Sequence, residues 1–198
     1  MSIDLLSIII IVLIIIVSYR IYYTSDIFQL KCIISDVDGE RYCVRERNKL
    51  SLAADKLANV NKNMKLVVEY CSKNYPNNEN IIRLKNRFNP KKIMETLPTS
   101  EYTAYSENKG EKLAFCLDKE KNDPGKLIDI NTLTFVALHE LAHVASESIG
   151  HTPEFWQNFK FLLIQAEKLN IYNPVDYKNN PQNYCGMTIT DNPYYDVK

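Results

Sequence analysis

The fold class this chain predicts is an α+β domain carried behind one N-terminal membrane span, and three observations predict it. The first is an almost unbroken run of Ile, Leu and Val from Ile3 to Val17. The second is a set of short apolar runs flanking turn sequences, the pattern of β-hairpins. The third is a series of apolar stripes at helical spacing, one of which contains His139-Glu140-Leu141-Ala142-His143. About 170 residues follow the span, enough for one domain with its own core. Lys and Arg total 24 and Asp and Glu total 24, so the net charge is zero. That balance supplies no basic field for nucleic acid, and none is expected as a partner.

Residues 1–23 form the span. Only Asp4 and Ser7 interrupt the apolar run, and Tyr19, Ile21, Tyr22 and Tyr23 extend it. At about 21 residues it reaches roughly 31 Å as a helix, the thickness of a bilayer core. The Tyr cluster with Arg20 reads as an interfacial belt. A cleaved signal peptide is the alternative, but there is no basic n-region and no small-x-small site near Ser18. Arg20, Lys31, Arg41, Arg45, Arg47 and Lys49 all follow the span, which predicts a cytosolic domain on a single-pass anchor, in a host or virion membrane. Five scattered cysteines (Cys32, Cys43, Cys71, Cys116, Cys185) are an odd set that suits a reducing compartment, with a Cys32–Cys43 bridge left open.

Residues 24–48 predict a membrane-proximal β-hairpin: the runs from Leu30 to Ser35 and from Arg41 to Val44 flank Asp36-Val37-Asp38-Gly39. That turn lacks the remaining ligands of a calcium loop. Residues 49–198 then form the main domain. Leu50, Ala53, Ala54, Leu57, Val60, Met64, Val67, Val68 and Cys71 recur at helical spacing, and a second helix starts at Ile81 and breaks before Pro90. A second hairpin is expected from Tyr102 to Glu107 and from Glu111 to Leu117 about Asn108-Lys109-Gly110.

The motif helix comes next. Asn131 is a candidate cap, and Leu133, Val136, Ala137, Leu141, Val144 and Ala145 keep helical spacing toward the terminator Gly150. On such a helix His139 and His143 share a face and can converge on one Zn²⁺, with Glu140 beside the open position as general base. A third ligand is needed, and Glu147 and His151 are the candidates. Eight residues of straight helix separate Glu147 from His139 by about 12 Å, so Glu147 is expected in solvent or behind the ligands. His151 follows Gly150 and precedes the helix start Thr152-Pro153-Glu154, so it can swing back to the metal. The next helix, Pro153 to about Leu169, carries Phe155, Trp156, Phe159, Leu162, Leu163 and Ala166 on one stripe. All three histidines of the chain are thereby assigned to metal, which leaves none for a Ser-His-Asp set.

His-Glu-Leu-Ala-His with His151 and Pro-Glu-Phe-Trp after it resembles the small zincin metallopeptidases of the WLM and SprT-like groups, over roughly residues 110 to 170. The stretch from Thr103 through Tyr184-Cys185-Gly186-Met187 also resembles membrane-anchored metallopeptidase-like proteins of large DNA viruses. The interval between His143 and His151 departs from both WLM and SprT-like spacing. The resemblance implies a zincin-like α+β domain with an antiparallel edge hairpin and a polypeptide substrate. It also implies that the strand before the motif helix, Leu113 to Leu117, pairs with substrate main chain; an ordinary core strand is the alternative. The tail from Tyr172 to Lys198 is rich in Asn, Pro and Tyr and reads as loop packed back by its aromatics. Tyr184 near an oxyanion, or Cys185 as an inhibitory fourth ligand, stay open beside simple packing.

The sequence therefore predicts a membrane-anchored zinc peptidase. His139, His143 and His151 hold Zn²⁺, and Glu140 takes a proton from water and returns it to the leaving amine. The alternative is a catalytically silent structural or virion membrane protein that retains the zinc site.

Overall fold

A computed structural model describes residues 4–120 and 123–196. Residues 1–3 of the anchor and 197–198 of the tail lie outside the described residues. The anchor is a helix, α1 (Leu5–Thr24), whose first turn is capped by Asp4 accepting from the Ser7 N–H at 2.7 Å. Its large apolar side chains are exposed throughout, and by length and composition it can cross a bilayer. The short helix α2 (Asp26–Gln29) leads into the domain.

The domain is mixed α+β. Its main sheet contains β1 (Leu30–Ile34), β2 (Arg41–Arg45), β3 (Ile93–Glu95), β4 (Ala104–Glu107) and β5 (Lys112–Phe115), in the spatial order β1-β2-β3-β5-β4. The outer pairs are antiparallel, and β3 runs parallel to both neighbours. Helix α3 (Leu50–Asn74) lies on β1, β2 and β3. Helix α5 (Ile130–Ala145) is packed by α3, α4 (Glu79–Arg87) and α6 (Pro153–Lys168). The stripes at helical spacing become one core: Ala53, Leu57, Met64, Leu84, Leu133, Leu141, Phe155 and Leu162 are all at most 1 % exposed. The two small sheets are β6 (Asp118–Glu120) with β7 (Asp123–Leu127), and β8 (Gln182–Tyr184) with β9 (Met187–Ile189).

Several expectations change. The first hairpin is no separate ribbon, because Cys43 pairs with Met94 and draws β1 and β2 into the sheet of the main domain. The strand expected to receive substrate, from Leu113 onward, is interior: β5 is bonded to β3 on one side and β4 on the other, so it has no free edge. The edge is β4. The motif helix starts from Asp129, whose carboxylate accepts from the Thr132 N–H and hydroxyl at 2.8 Å each. Asn131 does not cap; it exchanges hydrogen bonds with the backbone of Asn173. The same helix stops at Ala145, five residues before Gly150. There the Ser146 hydroxyl turns back to the Ala142 carbonyl, and Arg83 donates to the Ala145 carbonyl.

The cysteines also differ from expectation. Cys32–Cys43 and Cys116–Cys185 are disulfides, which leaves Cys71 free and buried. In the tail, Tyr172, Tyr177 and Tyr184 are fully buried, as packing of aromatics predicts. The β8–β9 hairpin within it was not expected; its turn places Cys185 and Gly186 at φ of 51° and 79°.

Candidate metal centre

Helix α5 presents His139 and His143 one turn apart, and the segment between α5 and α6 returns His151 to the same point. The Nε2 atoms of His143 and His151 each lie 3.2 Å from Nε2 of His139. All three ligand atoms fall within 4.8 Å of one another. Two Zn–N bonds of about 2.0 to 2.1 Å at a tetrahedral angle put the nitrogens about 3.3 to 3.4 Å apart, close to the two His139 pairs, so a small inward movement of the His143 and His151 rings would bring all three to one ion. Burial, then the neighbouring imidazoles, hold His139 down to about 3, and burial with His151 and Lys109 holds His143 down to about 4. Both rings are thus neutral, the form that ligates.

The rings are held by α6. Phe155 stacks on His143 at 4.2 Å between centroids and meets His139 edge-on at 4.8 Å, while Trp156 lies 5.5 Å from His151. Glu154, in the first turn of the same helix, accepts from the backbone N–H groups of Glu147 and Ser148 and from the Ser148 hydroxyl. Lys109, at the tip of the β4–β5 hairpin, donates to the carbonyls of Ser146, Glu147 and Ser148 at 3.1, 3.2 and 2.7 Å. Two ionic side chains from different elements therefore fix the turn that leads to His151. The hairpin can come that close because Gly110 sits at φ 108°, where a Cβ would lie 2.9 Å from the Arg87 carbonyl oxygen and 2.8 Å from Val144.

Glu147 points away. Its side chain is 81 % exposed and pairs with Arg83 at 3.5 Å. Glu140 is 5 % exposed, and burial lifts its carboxyl to about 8. It lines a cleft of about 960 Å³ together with His139, His143, His151 and the edge strand β4. A second recess of about 410 Å³ also reaches His139, Glu140 and His151 and is walled by Phe135, Trp156, Phe159, Met187 and Ile189. Tyr184 also borders this recess, but its hydroxyl donates to the Thr103 carbonyl at 3.1 Å, which steadies the start of β4. Cys185 is bonded to Cys116 and has no thiolate to offer a metal.

The roles of Glu154 and Lys109 were missed. Glu154 follows Thr152-Pro153 and reads as an ordinary acidic residue in a first turn, and Lys109 reads as a polar turn residue. Neither carries a sequence signal for reaching a loop that the fold brings beside it.

Comparison with known proteins gives relatives in viruses. The chain is 33 % identical over 161 residues to the uncharacterized protein R325 of Acanthamoeba polyphaga mimivirus, a match covering 79 % of this chain and 81 % of that protein. It is 38 % identical over 74 residues to uncharacterized protein 136R of Invertebrate iridescent virus 6 and 46 % identical over 59 residues to uncharacterized protein 042R of Invertebrate iridescent virus 3. These shorter matches cover 40 % and 36 % of those proteins. The chain belongs to the family of the mimivirus protein. No family model and no solved structure matches it.

Proposed function

We propose that this protein is a membrane-anchored zinc peptidase. The observation that carries the reading is the convergence of three imidazole nitrogens beside a buried carboxyl at the floor of a cleft edged by a strand. Zinc held by His139, His143 and His151 would supply an acidified water and a Lewis acid for a carbonyl oxygen. Glu140, buried beside the three imidazoles, can take a proton from that water and give it back to the leaving amine. The outer edge of β4 offers backbone N–H and C=O groups to an extended chain laid along the cleft. A purely structural zinc site has no use for a carboxyl buried in this position.

The side of the membrane is part of the proposal. Flank charge favours the cytosol, and the cysteines favour the opposite side. Four of five cysteines pair, one bridge spanning 69 residues. Persistent bridges belong to an oxidising compartment, and we place the domain there.

The test is metal analysis of the purified full chain with a cleavage assay on unfolded casein. Wild type should hold one zinc and cleave. Glu140→Gln should keep the zinc and lose about 10² to 10⁴ in rate. A chain without zinc, or equal cleavage by both, overturns the reading.

A further inference from the structure

The loop after β3 joins two features that the sequence keeps 76 residues apart. The Thr99 hydroxyl donates to the Tyr23 carbonyl at 3.1 Å, at the end of the apolar stretch Leu5–Tyr23. The same loop, Leu97 to Tyr102, forms one lip of the cleft that contains His139 and Glu140. Three residues of chain span at most about 11 Å, so Tyr102 lies within about that distance of Thr99 and close to the anchor's exit.

Aromatic rings recur among the side chains exposed around this junction, beside Arg20, Pro98, Thr99 and Glu101. Tyr19, Tyr22 and Tyr23 are exposed on the anchor, Phe28 is 56 % exposed and rests on Tyr22 at 5.6 Å, and Tyr102 is 66 % exposed. Exposed aromatic rings gain little in water, whereas rings with one apolar and one polar side are favoured at the headgroup layer of a bilayer. The belt at the end of α1 therefore continues across α2 to the lip of the cleft.

We propose that this lip is a bilayer-contacting surface: Tyr102 sits in the headgroup layer of the membrane that α1 spans, and the cleft opens at that level. Polypeptide entering the cleft would then be chain held at the same membrane surface. The inference rests on the anchor reading of α1 and is independent of whether the site hydrolyses anything.

Spin labels on single-cysteine additions to the full chain in lipid vesicles test it. Ile14→Cys reports the anchor, Tyr102→Cys the lip, and Val37→Cys the turn beyond β1, a strand whose five residues span about 17 Å from the anchor side. The label at residue 14 should be relaxed by lipid-soluble oxygen and the label at residue 37 by a water-soluble nickel chelate. The label at residue 102 should follow residue 14, with a shallower depth. If residue 102 behaves as residue 37 while residue 14 reads as lipid-buried, the lip inference is overturned and the anchor stands. If residue 14 also reads as aqueous, the anchor reading falls and this inference falls with it.

Discussion

Glu154 accepts from Ser148 twice, from its hydroxyl at 2.7 Å and its backbone N–H at 3.0 Å, and so governs the turn that carries His151. The Ser148 hydroxyl, then the Glu147 and Ser148 N–H groups, hold this carboxyl down to about 2. Groups that orient a ligand commonly contribute 10- to 100-fold to metal affinity, so Glu154→Gln should weaken zinc binding by roughly that factor. Because the folded-state pKa is depressed, the carboxylate's contribution to loop order is complete above the ordinary value of 4.5 and is lost as pH falls toward 2. A pH titration of the metal-free protein should show that acid step in wild type and not in the variant. Unchanged zinc affinity in Glu154→Gln would remove the residue from the site.

The ligand set is tested by two substitutions with opposite outcomes. His151→Ala should prevent stoichiometric zinc binding, since it removes one of three converging nitrogens. Glu147→Ala should leave binding unchanged, because that side chain is exposed and directed to Arg83. Equilibrium dialysis against zinc separates them, and the reverse result would mean the loop binds metal in another conformation.

Gly110→Ala should destabilise the fold by about 1 to 3 kcal/mol, from a positive φ and a backbone neighbour that cannot move aside. Urea unfolding of the variant measures this. Metal affinity should fall with it, because the displaced hairpin tip carries Lys109. Gly39, also at positive φ but with nothing near, should lose stability to Ala without that loss of affinity.

The bridges predict a thiol count and an order of stabilities. The unfolded, unreduced chain should titrate one thiol, Cys71, which burial pushes up to about 12 and makes inert while folded. Five thiols would rule out both pairings. Replacing Cys116 and Cys185 by Ser should cost about 4 kcal/mol and replacing Cys32 and Cys43 about 3, since the longer loop restricts the unfolded chain more.

Local pattern made the helices and the candidate metal ligands legible. His139, Glu140 and His143 are specified by spacing on one helix, and His151 by a Gly before it and a helix start after it. What stayed illegible depends on tertiary proximity. No local feature tells that Cys116 meets Cys185 across 69 residues, or that β3 inserts beside β5 and makes it interior. The edge role passes to β4 for that reason alone. The helix end at Ala145 was misread because Val144 and Ala145 continue the apolar pattern, while the groups that stop the helix, Arg83 and Asn158, come from α4 and α6.

Trp156 is the chain's single tryptophan, half exposed and tilted against His151 beside the histidine cluster. The molecule thus carries its own optical gauge at the one place where it is wanted. Excited beyond the absorption of the tyrosines, the indole reports only the loop and ring positions around the histidines, so the proposed loading of the centre is open to real-time measurement in unlabelled protein, in detergent or in vesicles.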